Sequence, residues 1–513
     1  MKRSLALFAA LIIVSLSGLI VTCGVVGGSA ENVAVTEDII YGDASFIDGL
    51  TVHGVSRYGY YLYWDSEMKF ENGVRTDSTD FRYYQLNRGD PRRRRSDPKV
   101  SYSDETGLSM PVVYNFFSND KLEQDVEKWT AELEPQNQEK RTVRVADYHK
   151  YYPIYPNLAL PGNRYSGAAL PYTTSWDDFQ TKFQRYFRIP VLDDEYLEIT
   201  LTKSEDSFLY PSQSYSSYGH APYGHEFTPY CNGVYTGDAY YFYFANRAER
   251  RIEAGFLTTP NDEILVDTSR IPGGYGLYRI PCVESERGAL ADIDGLSTAY
   301  PIDEHAQITS LGASPDRSKL FLHTIEDRTW YLSVIDRESM ALLQKIEIRR
   351  NMPYFPPSLD GGAFVVNGDN FLLVNFRDPT PEIVVLDERE DGYAVRQRIV
   401  NDGTPADNAR AWDWWDSQML DAAYAWDGER LAVVWNPQKM INDNRWTYEM
   451  CGVAVAVCAN NSLQFFAEYG NSLDECNLRL SSADERSIRF SAYSFPYASF
   501  VRPVGNAARA YWS

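Results

Sequence analysis

The chain has 513 residues, of which 49 are Lys or Arg and 71 are Asp or Glu, so its formal net charge is −22. Such an acidic surface argues against a nucleic-acid partner, because it repels phosphates. Aromatic residues make up 14% of the chain and charged residues 23%, which permits a packed core and argues against general disorder. A mean hydropathy of −0.40 excludes a polytopic membrane protein, and six cysteines are too few for a disulfide-dense scaffold.

The first 30 residues predict a targeting segment. Lys2 and Arg3 precede an almost unbroken apolar run from Leu5 to Val26, which ends in the small residues Gly27 to Ala30. One interpretation is a signal peptide cleaved after Ala30. Another is an uncut membrane anchor, since roughly 20 apolar residues span a bilayer as a helix.

Lipidation is a third interpretation of the same segment. Ile20 to Cys23 resembles a bacterial lipobox in which Cys23 would be acylated, although Thr22 departs from that pattern. All three interpretations predict an extracytoplasmic location. In each of them, any membrane contact is made through the N-terminal segment alone.

The remaining cysteines leave two alternatives open. Disulfides between Cys231 and Cys282, or between Cys458 and Cys476, suit an oxidising compartment. The alternative is that these residues are small buried hydrophobic side chains, which is the interpretation that we favour.

A loose internal repeat fills the second half of the chain. Each copy has an apolar strand, a tight turn built on Asp or Gly, and a second strand rich in aromatic and β-branched residues. The four copies are residues 234–244, 313–322, 365–374 and 424–434. A second strand pair follows three of them, at residues 331–336 with 341–348, 382–387 with 393–400, and 452–457 with 463–467.

The repeat unit is therefore four short strands. From Asp316 through Asp369 and Asp427 to Asp484, the equivalent turn residues are 53 to 58 positions apart. Four-stranded units that recur at about 40–50 residues are typical of β-propeller blades. Loop insertions explain the longer spacing here.

Residues 306–349 resemble one blade of a bacterial β-propeller of the WD40-like or YVTN-like kind. Ser314-Pro315-Asp316 stands where such repeats carry a Ser-Pro-Asp-Gly turn, with Arg317 in place of the glycine. The Gly-His and Trp-Asp signatures of true WD40 blades are missing. The resemblance covers residues 225–505 and implies the architecture only, because propellers serve as enzymes, sensors and scaffolds alike.

We therefore expect an all-β-dominated fold: a β-propeller of about seven four-stranded blades over residues 45–513, after a linker at 31–44. Six or eight blades are the alternatives. Helical insertions are expected within about residues 90–230, because side-chain spacing predicts helices over Lys121–Leu133 and Ser175–Phe187. Since a closed ring leaves no exposed sheet edge, residues 45–65 are expected to lie beside residues 485–502.

Two clusters could bind a metal ion. His220, His225 and Glu226 have the ligand chemistry of zinc, and the alternative is a tyrosine-rich loop with no metal. Asp292-Ile293-Asp294-Gly295 faintly resembles a calcium loop but lacks the further oxygen ligands, which favours a solvated turn. The sequence therefore assigns no cofactor, and neither calcium nor zinc is supported.

A tryptophan-rich cluster is the strongest candidate binding site. Aromatic faces beside carboxylates are suited to sugars or peptides, and the alternative is that these tryptophans pack between blades. The cluster consists of Trp412, Asp413, Trp414, Trp415 and Asp416.

The sequence favours a non-catalytic binding or scaffold protein that recognises a peptide, a glycan or a partner protein. No nucleophile elbow, phosphate-binding glycine loop or zinc-protease helix motif is present. One alternative is an extracytoplasmic hydrolase or lyase whose site is assembled from several blades, with His149, His220, His225 and Glu226 as first candidates. Another is a sensor or accessory domain of a membrane complex. The sequence does not indicate an oligomeric state.

Overall fold

The structure is a computed structural model of the full chain. It describes residues 11–21, 35–58, 62–83, 107–109, 120–134, 138–151, 156–161, 163–165, 176–191, 196–202, 223–226, 231–244, 249–252, 258–259, 266–285, 288–352, 363–368, 370–376, 381–390, 392–400, 422–435, 438–440, 448–450, 453–471 and 509–512.

Among the described residues, helices occur only before residue 300. The α-helices are α1 at residues 11–21, α2 at Asp120–Glu132 and α3 at Trp176–Tyr186. Short 3-10 helices occur at Ala44–Ile47, Val145–Asp147 and Ile293–Gly295. Helices α2 and α3 match the two helices expected from side-chain spacing to within one residue at each end.

Strands make up most of the rest. The first are β1 Val35–Gly42, β2 Leu50–Tyr58, β3 Leu62–Glu71, β4 Val74–Tyr83, β5 Gly107–Ser109, β6 Gln138–Arg144, β7 Asn157–Leu160, β8 Asn163–Tyr165 and β9 Tyr196–Thr202. Next come β10 Tyr223–Glu226, β11 Cys231–Tyr235, β12 Ala239–Phe244, β13 Glu249–Ile252, β14 Thr258–Thr259, β15 Gly276–Ser285, β16 Gly288–Ala291 and β17 Ser297–Pro301. These are followed by β18 Gln307–Ala313, β19 Lys319–Glu326, β20 Thr329–Asp336, β21 Leu342–Arg349, β22 Ala363–Asn367, β23 Phe371–Phe376, β24 Glu382–Arg389 and β25 Gly392–Val400. The last are β26 Ala423–Trp426, β27 Arg430–Trp435, β28 Gln438–Met440, β29 Tyr448–Met450, β30 Val453–Ala459, β31 Ser462–Asn471 and β32 Arg509–Trp512.

The larger sheets share one plan, in which four strands follow one another in an antiparallel meander. Their orders are β18-β19-β20-β21, β22-β23-β24-β25, β32-β2-β3-β4, β1-β31-β30-β27-β26, and β11-β12-β15-β16 with β17 also paired to β15. Smaller sheets are β5-β7-β8, β6-β9, β10-β13-β14 and β28-β29. All four repeat copies found in the sequence form the first two strands of such a sheet.

The structure therefore confirms an all-β-dominated fold assembled from propeller-type blades. The expected number of blades stays a prediction. The chain divides into two compact units, one of residues 1–102, 370–390 and 394–513 and the other of residues 103–369 and 391–393.

In the second unit, helix α3 packs against the sheet β11-β12-β15. Phe183 and Phe187 of helix α3 are fully buried, and they stack on each other with ring centroids 4.7 Å apart. Phe187 also meets Tyr278 edge-on at 5.1 Å. Strand β12 is buried along its whole length, because its other face packs on the next sheet, where the Tyr243 hydroxyl donates to the Thr309 carbonyl.

The turn between β18 and β19 shows why the Ser-Pro-Asp sequence marks a blade. The Asp316 carboxylate accepts hydrogen bonds from the Ser314 hydroxyl at 2.6 Å and from the Ser318 backbone N–H at 3.0 Å. Together with the Ser318 hydroxyl, these bonds lower the pKa of Asp316 to about 2. Arg317 has a φ of +59° in this turn, which explains why related turns carry glycine there.

In the first unit, the two ends of the chain close the sheets. Strand β32 pairs with β2, with Trp512 opposite Leu50, and so completes a four-stranded sheet that we call the clasp blade, β32-β2-β3-β4. Residues 45–65 thus have a C-terminal partner, as expected, but that partner is residues 509–512. The expected partner, residues 485–502, lies outside the described residues.

Strand β1 adds a fifth strand to the outer edge of the sheet β1-β31-β30-β27-β26, which we call the last blade. It occupies much of the segment that the sequence interpretation assigned to a linker. Arg75 of β4 fastens it: its guanidinium lies 3.7 Å from the Glu37 carboxylate of β1 and 5.5 Å from the ring centre of Tyr469 on β31. The N-terminal strand therefore joins the last blade to the clasp blade.

Residues 11–21 form an apolar helix with exposed side chains. Within the described part of the chain, no helix combines the length and the apolar character needed to cross a membrane.

In the second unit, a glutamine side chain is hydrogen-bonded to the backbone of residue 393. Gln344 of β21 donates through Nε2 to the Tyr393 carbonyl and accepts through Oε1 from the Tyr393 N–H, both at 2.9 Å. A side chain at position 392 would collide with this amide, since a Cβ there would lie 2.5 Å from Gln344 Oε1. A glycine at position 392 therefore leaves room for the Gln344 amide and its two hydrogen bonds to Tyr393.

Replacing Gln344 with alanine is expected to lower the free energy of unfolding by about 2 kcal/mol, because two hydrogen bonds of about 1 kcal/mol each are lost. Urea denaturation measures this. The control is Lys345→Ala, which removes an exposed ion pair with Glu326 and a cation–π contact with Tyr331 and is expected to cost no more than about 1 kcal/mol. Equal losses of unfolding free energy in the two variants would show that the hydrogen bonds between Gln344 and Tyr393 do not stabilise the fold.

Candidate functional site

Most of the candidate site residues from the sequence lie outside the described residues. This holds for the tryptophan-rich cluster, for one of the two zinc-ligand histidines and for the lipidation candidate: Trp412, Asp413, Trp414, Trp415, Asp416, His220 and Cys23. Their roles stay predictions.

His225 and Glu226 lie on strand β10, where they pair with Arg250 and Glu249 of β13. The segment 223–226 is thus a strand and not part of a loop. His149 follows the 3-10 helix Val145–Asp147, and its backbone N–H donates to the Val145 carbonyl. Among the described residues, no group of three or more His, Cys, Asp or Glu is arranged to hold a metal ion.

The segment considered for calcium has another structural role. The Asp294 carboxylate lies 2.5 Å from the Lys182 ammonium of helix α3, and the Tyr186 hydroxyl donates to the Asp294 carbonyl. These contacts join the 3-10 helix Ile293–Gly295 to α3.

The described cysteines form no disulfide bond with one another. Cys282 and Cys458 are buried and Cys231 is partly buried, and the proposed disulfide between Cys231 and Cys282 is not formed. Cys476, the proposed partner of Cys458, lies outside the described residues. Burial raises the pKa of Cys282 to about 11 and that of Cys458 to about 12. Both residues thus behave as small hydrophobic side chains, as the sequence analysis favoured.

The structure brings together a polar and aromatic cluster on one face of the clasp blade. Strand register places His53 of β2 opposite Glu67 of β3, and Thr51 of β2 opposite both Lys69 of β3 and Tyr511 of β32. Residues at alternate positions, such as Leu50 and Val52, point to the buried face. We call the set of His53, Glu67, Lys69 and Tyr511 the Tyr511 face.

The four side chains of the Tyr511 face hold one another in place. His53 Nε2 lies 2.8 Å from Glu67 Oε2 and 3.3 Å from the Tyr511 hydroxyl. The other carboxylate oxygen of Glu67 lies 2.8 Å from Lys69 Nζ. The His53 and Tyr511 rings stack with centroids 5.6 Å apart and an interplanar angle of 25°.

Charge pairing fixes the ionisation of this cluster. The hydrogen bond from Lys69 lowers the pKa of Glu67, with the charge of His53 acting in the same direction. The same hydrogen bond raises the pKa of Lys69. The face therefore presents a paired carboxylate and ammonium beside the His53 ring.

The chemical capacity of the Tyr511 face is recognition through stacking and hydrogen bonding. The Tyr511 side chain is 46% exposed while one side of its ring rests on His53, which leaves aromatic surface open to a ligand. The Tyr511 hydroxyl and the Lys69 ammonium are donors next to that surface. An aromatic surface flanked by fixed donors is a common platform for sugars and peptides.

The sequence contained part of the signal for this site. The sequence Tyr58-Gly59-Tyr60 indicates a hairpin turn, which would bring the strands of His53 and Glu67 together. A turn centred on Gly59 would place His53 opposite Asp65, two positions from its observed partner Glu67. Nothing in the local sequence indicates Tyr511, because it reaches the site through pairing between the two ends of the chain.

Comparison with known proteins yields distant structural likenesses alone. No family model matches the chain, and no curated protein matches it. A protein from Lactobacillus plantarum of known structure is 10% identical, with 81% of this chain and 99% of that chain covered and a TM-score of 0.25. The β-propeller domain of Myceliophteria thermophila Cps50 (Swd1) is 9% identical, with 66% and 97% covered and a TM-score of 0.20.

Proposed function

We propose that this protein is an extracytoplasmic, non-catalytic binding or scaffold protein that recognises a peptide, a glycan or a partner protein on the Tyr511 face. In this proposal, the N-terminal segment holds it at a membrane. The observation that carries the proposal is the exposed Tyr511 ring on the edge strand of the clasp blade, fixed by stacking on His53.

Several features of the site favour binding over catalysis. Both carboxylate oxygens of Glu67 are already paired, one with His53 and one with Lys69, so the site is organised before a ligand arrives. None of the four side chains is a serine, threonine or cysteine nucleophile. Because the whole chain carries a net charge of −22, neutral or cationic ligands are favoured over polyanions.

Removing the Tyr511 ring is expected to weaken ligand binding at least about tenfold, since the loss of an aromatic anchor costs 1.4 kcal/mol or more. Arrays of neutral glycans and of peptides identify ligands of the wild-type protein, and calorimetry then compares Tyr511→Ala with Tyr511→Phe. The phenylalanine variant is expected to retain most of the affinity, because it keeps the stacking surface.

Tyr331→Ala is the matched control, because Tyr331 is a partly exposed tyrosine on strand β20 of the other unit, beneath Lys345. Its affinity is expected to equal that of the wild type. Equal affinities for Tyr511→Ala and wild type would refute the proposed binding face.

A hydrolase or lyase is the second candidate, and the contact between His53 and Glu67 favours it. A carboxylate that accepts a hydrogen bond from one imidazole nitrogen orients the ring and leaves the other nitrogen to act as a base. If this function is right, Glu67→Gln is expected to lower kcat on an ester, glycoside or peptide substrate about a hundredfold with little change in KM. Absence of turnover on such panels by the wild-type protein removes this candidate.

A further inference from the structure

The direction of strand β1 fixes which end of the last blade receives the N-terminal segment. Val35 at the start of β1 pairs with Asn471, and Gly42 at its end pairs with Phe465. The chain therefore enters the last blade beside the C-terminal end of β31. This is also the end where β27 finishes and β30 begins, since Trp435 pairs with Ala454.

The tight turns of the last blade lie at the opposite end, which we call the turn end. Residues 427–429 connect β26 to β27, and residues 460–461 connect β30 to β31. The clasp blade has the same orientation, because Arg430 at the turn end donates to the carbonyls of Phe46 at 3.1 Å and Asp48 at 2.8 Å, just before β2 begins.

The C-terminal strand and the Tyr511 face belong to this same end. The Arg430 guanidinium lies 3.9 Å from the ring centre of Trp512, so the end of β32 is at the turn end. Tyr511 immediately precedes Trp512 in the chain. His53 is three positions along β2 from Leu50, which is the partner of Trp512. The Tyr511 face thus lies toward the turn end of the clasp blade.

In any form of the protein that retains the N-terminal helix, the apolar side chains of this helix must be covered by protein or by lipid. Its large apolar side chains are between 44% and 70% exposed on every side of the helix, namely Leu11, Ile12, Ile13, Val14, Leu16, Leu19, Ile20 and Val21. A helix that is apolar all round is buried or inserted in lipid. The basic residues Lys2 and Arg3 precede it, as is typical of a segment anchored in a bilayer.

The chain between the apolar run and β1 is short. The run ends at Val26 and β1 begins at Val35, which leaves the eight residues from Gly27 to Ala34. Eight residues span at most about 28 Å when fully extended. A strand the length of β1 is itself about 26 Å long. If the blade were inverted, with its turn end at the bilayer, the eight residues would have to be fully extended along the whole blade to reach the start of β1.

We infer that, in the membrane-anchored form, strand β1 orients the last blade and the clasp blade so that the turn end, the C-terminal strand and the Tyr511 face point away from the lipid bilayer. This inference rests on the anchoring and on the binding face that the proposed function assigns. It makes the Tyr511 face accessible to a ligand as large as a polysaccharide or another protein, with the bilayer on the far side.

Energy transfer from the protein to labelled lipid tests this orientation. The full-length protein is reconstituted in phosphatidylcholine vesicles that carry a headgroup-linked acceptor dye in both leaflets. A fluorescent amino acid is placed either at Asn471, beside the start of β1, or at Glu429, an exposed residue of the turn end. Transfer from position 471 is expected to exceed transfer from position 429 at least about twofold, because transfer falls steeply over the length of a strand.

A longer linker supplies the matched control. Inserting about twenty Gly and Ser residues after Ala30 removes the length restriction, so the difference between the two donor positions is expected to shrink. Equal or stronger transfer from position 429 in the original chain overturns the orientation, as does a difference unchanged by the longer linker.

Vesicle flotation separates failure of the orientation from failure of the proposed anchoring. If the reconstituted protein does not float with vesicles, the anchoring is wrong and the orientation falls with it. If the protein floats but the donors report the reverse order, the orientation alone is wrong. Ligand binding to the Tyr511 face is measured separately on the same preparation.

Discussion

Replacing Trp512 with alanine is expected to lower the free energy of unfolding by about 3 kcal/mol, the scale of removing a largely buried aromatic side chain. Trp512 packs against the core formed by residues that include Leu50, Val52 and Phe70. The Arg430 guanidinium covers its ring at 3.9 Å, and a cation–π contact of this kind adds about 1 kcal/mol. Urea denaturation followed by circular dichroism measures the loss.

The neighbouring residue provides the control for this prediction. Tyr511→Ala changes the same strand on its exposed face, so it is expected to cost less than about 1 kcal/mol. Truncation after residue 508 removes the whole strand β32, exposes the edge of β2 and is expected to destabilise more than Trp512→Ala. Similar midpoints for Trp512→Ala, Tyr511→Ala and wild type would show that the C-terminal strand does not close the blade.

The parts of the fold that could be predicted from the sequence are those formed between residues close together along the chain. Turns such as Ser314-Pro315-Asp316 are local, and the strand on each side of them contains its own alternation of side chains. The antiparallel meanders β18–β21 and β22–β25 could therefore be predicted from residues that are close in sequence. Helix α3 was predictable for the same reason, since Phe179 and Phe183 recur at helical spacing.

Pairings between distant residues could not be predicted in this way. Strand β1 pairs with β31, more than 400 positions away along the chain, and Val35–Gly42 has no turn or partner nearby to indicate a strand. The C-terminal partner of β2 was expected in kind, from the need to cover a sheet edge, but it lies at residues 509–512. The cost of an exposed sheet edge indicates that β2 needs a partner strand, but it does not indicate which residues form that strand.

The candidate site follows the same division. His53 and Glu67 face each other across a local hairpin, so the turn sequence Tyr58-Gly59-Tyr60 indicates that their two strands pair, although not the exact register. Tyr511 joins them through the clasp alone. The candidates that stand out in the sequence are instead His220, His225 and Trp412, because each of them belongs to a cluster of ligand-type residues that are adjacent along the chain.

A buried histidine in the second unit gives the remaining large prediction. His323 of β19 has 0% exposure, and its Nδ1 accepts a hydrogen bond from Trp330 Nε1 at 3.1 Å. The neutral ring therefore carries its proton on Nε2, which has no hydrogen-bond partner among the described residues. Burial disfavours the charged ring and lowers the pKa of His323 to about 3.

This shift makes stability depend on pH in a defined direction. An unfolded histidine binds a proton below a pKa of about 6.5, whereas folded His323 binds one only near pH 3. The unfolded state thus holds more protons in this window, so stability falls as pH falls. The loss approaches about 1.4 kcal/mol per pH unit below pH 6 and amounts to about 2 kcal/mol between pH 6.5 and pH 4.5.

The window from pH 4.5 to 6.5 separates this effect from the carboxylates. Asp316 has a pKa lowered to about 2, so its contribution is lost only as pH falls below its ordinary value near 4. His323→Gln keeps an acceptor for Trp330 but cannot be protonated, and it is expected to flatten the pH dependence measured by urea denaturation. His305→Gln, at an exposed position, is expected to leave the wild-type slope unchanged. Because His323→Gln and wild type share all their other titrating groups, parallel slopes for these two proteins would mean that His323 is protonated in the folded state at these pH values.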